Sequence, residues 1–159
     1  MILLAVGTQL PFDRLVRAVD DWARETGRED VVAQVGATAY RPHTLKAFSF
    51  LSPEAFQALQ AEAILHISHA GMGSILQAME HGKPIVIMPR DFSAGEHRND
   101  HQMATARRFA GKPGVHVAMD REELWRLLSD VGGLSGGAPI SSFAPATTTD
   151  ALRRLILSD

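Results

Sequence analysis

The chain contains no cysteine, which excludes disulfide cross-links and thiolate chemistry and suits a reducing cytoplasm. It has no marked excess of either charge. Its 16 Lys and Arg against 18 Asp and Glu leave a net charge of −2, so no broad attraction to nucleic acid or anionic lipid is expected. Long apolar runs are also missing: none approaches the ~18 residues of a membrane span. The apolar start Met1-Ile2-Leu3-Leu4-Ala5-Val6 meets Gly7 with no basic region ahead of it. Neither a spanning helix nor a secretory signal is therefore expected. Internal repeats, coiled-coil heptads and charged tails are absent as well. What remains is a chain of 159 residues, 45% apolar, long enough to bury the core of one domain.

Short apolar runs alternate with helix-period segments, the pattern of an α/β parallel sheet wrapped by helices. Strands are expected at Ile2 to Val6, Val31 to Val35, Leu45 to Leu51, Ile64 to Ile67, Pro84 to Met88 and Val115 to Ala118, six in all. Between them, Phe12, Leu15, Val16, Val19, Trp22 and Ala23 recur at helical spacing behind Pro11, as a core face. Ser52-Pro53-Glu54 reads as a helix start, Gly82 as a helix stop, and Asp120 with Glu123 as a capping pair. A further helix is expected from about Asn99 to Phe109. The spacing divides the chain into a main body at 1–130, a Gly/Pro-rich loop at 131–146 expected to extend away from the sheet, and a helix at 147–159. That last helix carries Ala151, Leu152, Leu155 and Ile156 on one face, to pack on its own sheet or on another chain.

The richest segment is Ser68-His69-Ala70-Gly71-Met72-Gly73-Ser74-Ile75-Leu76-Gln77, an apolar strand emptying into a glycine turn that opens a helix. Helix-initial N–H groups lack intrahelical acceptors and together carry roughly half a positive charge, so such a turn can hold a phosphate without a metal. Gly71 and Gly73 let the main chain approach an anion closely. Ligands of parallel sheets collect at the strands' carboxyl ends, where the Gly7-Thr8 turn, this turn and the loop from Pro89 to Gln102 all lie. That loop is dense in polar groups: Gly95-Glu96-His97-Arg98-Asn99-Asp100-His101-Gln102. Neither common nucleotide fingerprint fits. Gly71-Met72-Gly73 lacks the third glycine of the dinucleotide turn, and Gly82-Lys83-Pro84 lacks both the P-loop before it and the hydroxyl after it.

The words His69-Ala70-Gly71-Met72-Gly73-Ser74-Ile75, Gly82-Lys83-Pro84-Ile85-Val86, Gly95-Glu96-His97 and Asp100-His101-Gln102, in this order and spacing, resemble the C-terminal, donor-binding domain of family 28 glycosyltransferases. The resemblance runs from Met1 to about Arg108 and is strongest for the family's stand-alone members, subunits that also open with a strand and Gly-Thr, as in bacterial exopolysaccharide glycosyltransferases and the dolichol-linked N-acetylglucosaminyltransferase. It implies a single Rossmann-like domain equivalent to the C-terminal half of a GT-B enzyme. It also implies a UDP-sugar substrate, a hexosyl or N-acetylhexosaminyl transfer to a lipid-linked saccharide, and a membrane-associated partner subunit that supplies the acceptor site. The chain would then sit in the cytoplasm, peripheral to the membrane through that partner, or self-associate in isolation.

By position the resemblance assigns the diphosphate to Gly71, Gly73 and Ser74, with a hydrogen bond from His69 or Ser74, the ribose hydroxyls to Gln77, and the sugar to His101 and Gln102. Gly7 and Thr8 would flank the cleft, and Glu96, Asn99 and Asp100 would complete the donor site. Gln77 departs from relatives that carry a carboxylate there. His69, Glu96 and His101 are the candidates for catalytic work, while the general base is expected from the partner half or near the seam. No Asp-x-Asp pair is present, so no metal and no other cofactor is expected. Duller readings stand beside these. Gly71 and Gly73 would also serve tight strand-helix packing, and Glu96, Asn99 and Asp100 would serve as a solvated helix cap. His97 and His101, four apart, would face one metal if both were helical, as in a soluble metallohydrolase. His43, His66, His81 and His116 read as structural or surface groups. A non-catalytic nucleotide-binding or regulatory module would use the same phosphate turn.

Overall fold

The computed structural model describes residues 1–141, 143 and 146–156. Six parallel strands form one sheet: β1 (Ile2–Ala5), β2 (Val31–Gln34), β3 (Lys46–Phe48), β4 (Leu65–His69), β5 (Ile85–Met88) and β6 (Val115–Val117). Their spatial order is β3-β2-β1-β4-β5-β6. The chain thus winds outward from β1 in one direction and from β4 in the other, leaving a switch point between them. Their register there is Ile2 beside Leu65 through Ala5 beside Ser68. A crevice opens above such a pair because the connections leaving the two carboxyl ends diverge to opposite faces.

The helices are α1 (Asp13–Thr26), α2 (Pro53–Glu62), α3 (Met72–Glu80), α4 (His101–Phe109), α5 (Arg121–Leu128) and α6 (Ala146–Ile156). Strand side chains alternate between the faces, which makes two cores. Ile2, Leu4, Val6, Ile67, Val86 and Met88 join Leu15, Val19 and Trp22 of α1 and Leu124 of α5. Ile85, Ile87 and Val115 join Ile75 and Ala78 of α3 and Ala106 of α4 on the other side. Each large aliphatic side chain so buried contributes about 1.5–3 kcal/mol relative to exposure. The indole N–H of Trp125 donates to Ala18 O at 2.8 Å and fixes α5 on α1.

Local chemistry sets the helix ends. Ser52 Oγ accepts from Ala55 N at 3.2 Å, with Pro53 in the first turn. Asp120 Oδ1 accepts from Glu123 N at 2.8 Å while Glu123 Oε2 accepts from Met119 N at 2.9 Å, so each residue secures an otherwise orphaned amide. After α3, Gly82 takes φ of 63° and returns its N–H to Met79 O.

The link from β2 to β3 contains no helix and is held by a buried carboxylate. Asp20, fully buried on α1, accepts from Tyr40 Oη at 2.7 Å and from the N–H groups of His43, Thr44 and Leu45 at 2.9–3.2 Å. Burial alone would raise its pKa, but the His43 amide, the Tyr40 hydroxyl and the other two amides together lower it. Burial and that same carboxylate push Tyr40 up to about 12.

Two expectations change. β3 is shorter than Leu45 to Leu51, because all three of its residues are exposed at the sheet edge and no further strand covers them. The segment after α5 runs back over the amino end of the sheet instead of extending away. It opens with a 3₁₀ turn at Val131–Gly133, Ile140 N donates to Met79 O at 3.1 Å, and His116 Nε2 donates to Ser135 O at 3.4 Å. Gly136 and Gly137 lie against the main chain at Gly82 and Pro113 more closely than a Cβ would allow. On α6, Ile156 is exposed. The expected apolar face at Ala151, Leu152 and Leu155 lies outside the described side chains. Among the described residues no helix is long and apolar enough to cross a membrane.

Candidate functional site

A cleft of about 560 Å³ opens at the switch point between β1 and β4. Three connections build it: the loop from β1 into α1, the turn from β4 into α3, and the loop from β5 into α4. Phe50, Leu51, Pro53 and Phe56, beyond β3 and at the start of α2, form its apolar wall. Its lining contains Arg90, His69, His97 and four glutamines but no Asp or Glu, in a chain with more acids than bases. A cleft of this size with convergent polar groups has the character of a small-molecule site.

The α3 side follows from its glycines. Gly71 caps the helix and gives its N–H to His69 O, and the first intrahelical bond runs from Ile75 N to Gly71 O. The amides of Met72, Gly73 and Ser74 are left without a carbonyl acceptor, at the positive end of the helix dipole. A Cβ at Gly73 would meet nothing within 4 Å, so this part of the main chain faces open space. A Cβ at Gly71 would instead collide with the His69 imidazole, and one at Gly7, where φ is 81°, would lie 2.9 Å from the same ring. Both glycines are needed because His69 is wedged between the two turns. Ser68 Oγ donates to Ala5 O at 2.7 Å and lies 3.2 Å from His69 Nδ1. Burial first, and then the nearby Arg90 charge, bring the His69 pKa down to about 4, so the ring is neutral at pH 7.

Gln77 and Gln102 enter from opposite sides. Gln77 Oε1 accepts from Gln60 Nε2 at 2.9 Å, and the Gln60 carbonyl accepts from buried His66 Nε2 at 3.0 Å. Gln102 Oε1 accepts from Arg90 N at 3.1 Å, and its own amide nitrogen has no acceptor among the described residues. Arg90 is 3% exposed. Its Nη2 donates to Val6 O at 2.7 Å and Leu10 O at 2.5 Å, Nε is buried with no acceptor, and no carboxylate pairs with the guanidinium among the described residues.

The sequence matches the profile of the glycosyltransferase family 28 C-terminal domain over residues 1–124. The chain belongs to that family. Solved structures similar to this family 28 domain include MurG of Acinetobacter baumannii, at 19% identity and a TM-score of 0.63, over 99% of this chain and 49% of that one. The solution structure of ALG13 is similar at 18% identity and a TM-score of 0.61, over 98% of this chain and 94% of that one. The glycotransferase of kitacinnamycin is similar at 17% identity and a TM-score of 0.62, over 83% of this chain and 34% of that one. This family 28 domain therefore spans a third of the kitacinnamycin enzyme, half of MurG and nearly all of ALG13. Such identities establish a common fold, the Rossmann-like C-terminal half of GT-B glycosyltransferases. No curated protein matches the sequence.

Of the residues singled out in the sequence, Gly7, Thr8, His69, Gly71, Gly73, Ser74, Gln77 and Gln102 line the cleft of this family 28 domain. Glu96, Asn99, Asp100 and His101 do not. Glu96 is committed elsewhere: its two oxygens take Arg14 Nε and Nη2 at 2.8 Å, and Oε2 also takes Asp91 N at 2.8 Å. Asn99 Oδ1 accepts from His101 N at 3.2 Å, Asp100 is the N-cap of α4 without a side-chain bond, and His101 is exposed in the first turn. Asn99, Asp100 and His101 form the start of α4, and Glu96 ties the loop before it to Arg14 of α1. His97 and His101 thus part company, His97 at the cleft and His101 outside it. Among the described residues, no three His, Asp or Glu side chains gather in a way that would hold a metal. Sequence reasoning missed Arg90, Phe50 and Gln34. Only the position of Arg90 just past a buried strand's carboxyl end signalled it.

Proposed function

We propose that this family 28 domain binds a UDP-sugar in the cleft at the switch point. We propose further that it serves as the donor half of a split GT-B enzyme, transferring a hexose or N-acetylhexosamine to a lipid-linked acceptor. The observation that carries the reading is the row of unpartnered amides at Met72, Gly73 and Ser74, opening on a cleft with no acidic lining residue. Breaking the bond from the anomeric carbon to UDP places negative charge on the leaving diphosphate and positive charge on the sugar ring. Fixed N–H donors at a helix terminus stabilise the first without reorganising. Gly73 leaves room for the phosphate, while Gln77, Gln102 and the Phe50 wall offer neutral donors and apolar surface to the rest of the nucleotide sugar.

Transfer to a hydroxyl acceptor needs a base to take that hydroxyl's proton. His69 in the lining, at about 4, is a weak base, and Glu96 lies outside the lining and is bound to Arg14. The base and the acceptor site thus belong to a partner subunit at the cytoplasmic face of a membrane, through which this chain becomes peripheral. With amides holding the diphosphate and no carboxylate in the lining to hold a divalent ion, donor binding is metal-independent. Calorimetric titration with UDP and a panel of UDP-sugars, with and without magnesium, tests the reading. The expected result is UDP binding unaffected by magnesium, weakened at least tenfold by Gly73→Asp and less by Gln102→Ala. UDP binding indifferent to both substitutions would remove the site, and binding that required magnesium would remove the metal-free cradle.

A further inference from the structure

We propose that Arg90 forms a second anion subsite in this cleft, separate from the amides of α3, for a carboxylate or phosphate that a substrate carries in addition to the nucleotide diphosphate. The inference rests on the UDP-sugar reading above. A guanidinium has five N–H donors and cannot discard its charge at any ordinary pH, so a buried one is normally matched by an acid. Arg90 is not. It is 97% buried by area, two donors of Nη2 are spent on the neutral carbonyls of Val6 and Leu10, and Nε has no acceptor. Nη1 makes no bond among the described residues and, unlike Nε, is not sealed from solvent. The residue lines the cleft, whose other lining residues include no acid.

Placement separates this charge from the diphosphate cradle. Arg90 is anchored on the loop from β1 to α1, with its guanidinium carbon 5.1 Å from the Phe12 ring centroid on that side of the sheet. The α3 amides lie across the crevice. His69 stands between, close against both Gly7 on the Arg90 side and Gly71 on the α3 side. The nearest acid to matter, Glu96, is already held by Arg14 at 2.8 Å on two oxygens. An oxyanion on the β1 side of His69 would therefore find a pre-positioned N–H donor of Nη1 on an otherwise buried guanidinium, where a charge-assisted hydrogen bond is stronger than in open water. Two sources have that chemistry: a carboxylate on the transferred sugar, and a phosphate of the acceptor.

The test is calorimetric titration of the full chain and of its Arg90→Met and Arg90→Lys variants with UDP, UDP-glucose and UDP-glucuronate. Inorganic pyrophosphate is titrated separately, with and without saturating UDP. In the unaltered chain one anionic probe is expected to gain at least tenfold: UDP-glucuronate over UDP-glucose for the donor source, or pyrophosphate binding to the UDP-loaded protein for the acceptor source. The gain is lost in Arg90→Met and partly kept in Arg90→Lys, while UDP itself changes less than threefold. Equal binding of the two UDP-sugars together with no pyrophosphate binding overturns the subsite. So does a tenfold loss of UDP itself in Arg90→Met, which would place the guanidinium on the nucleotide diphosphate. If UDP fails to bind the unaltered chain, the UDP-sugar reading falls. Pyrophosphate binding that depends on Arg90 would then keep the anion subsite alone, and its absence would remove both. Should Arg90→Met not fold, the two comparisons in the unaltered chain and the Arg90→Lys variant decide.

Discussion

Two buried charges, Asp20 on α1 and Arg90 just past β5, are treated in opposite ways. Asp20 is fully buried and surrounded: a hydroxyl and three amides converge on its two oxygens. Arg90 is almost as buried, yet it meets two neutral carbonyls and leaves Nε orphaned. The first charge completes a loop that has no helix to hold it, and its satisfaction is internal. The second has the form of a group whose partner comes from outside. Burial by itself does not separate a structural charge from a functional one, whereas the count of satisfied donors and acceptors does.

Removing each charge should have unequal consequences for stability. Asp20→Ala strips four donors of their acceptor and unpins residues 40–45, so chemical denaturation should show a loss of about 4 kcal/mol. Arg90→Met removes an unmatched charge and should cost less than about 1 kcal/mol in the same measurement. Equal losses would erase the distinction between them.

Acid should expose a smaller difference through His69. Its folded pKa, about 4, lies below the ordinary 6.5, so the neutral ring favours the fold fully above pH 6.5. That contribution is lost as the pH falls from 6.5 through 4, about 3 kcal/mol in denaturation experiments across that window. Asp20, also lowered, keeps its contribution down to the ordinary carboxylate value of 3.8 and loses it only as the pH falls further. Because burial and then the Arg90 charge depress His69, Arg90→Met should raise the midpoint of the His69 ring in an NMR titration. An unmoved midpoint would show that the two groups do not feel each other.

The parts of the fold written in local chemistry were legible. Ser52-Pro53, Asp120 with Glu123, Gly82 and the six apolar runs each act within a few residues of themselves. The glycine turn at 71–73 was legible for the same reason, since a strand, two glycines and a helix start are contiguous. What failed depended on distant partners. Arg90 follows a proline at the head of a polar loop, with no neighbour in sequence to bury it; the carbonyls that hold it belong to residues 6 and 10, more than 75 positions away. Glu96 reads as a site residue beside two histidines, but Arg14, 82 positions away, claims it. The glycines at 136 and 137 read as a flexible connection, and their function is close contact with the main chain at 82 and 113. Composition shows which groups are available; only tertiary packing shows which have already been taken.

Amide NMR of the full chain titrated with UDP reads the phosphate cradle itself. The N–H signals of Met72, Gly73 and Ser74 are expected to shift most as the nucleotide is added, and Gly73→Asp is expected to abolish those shifts while the rest of the spectrum stays folded. Saturable UDP binding that left these three amides unmoved would contradict the cradle.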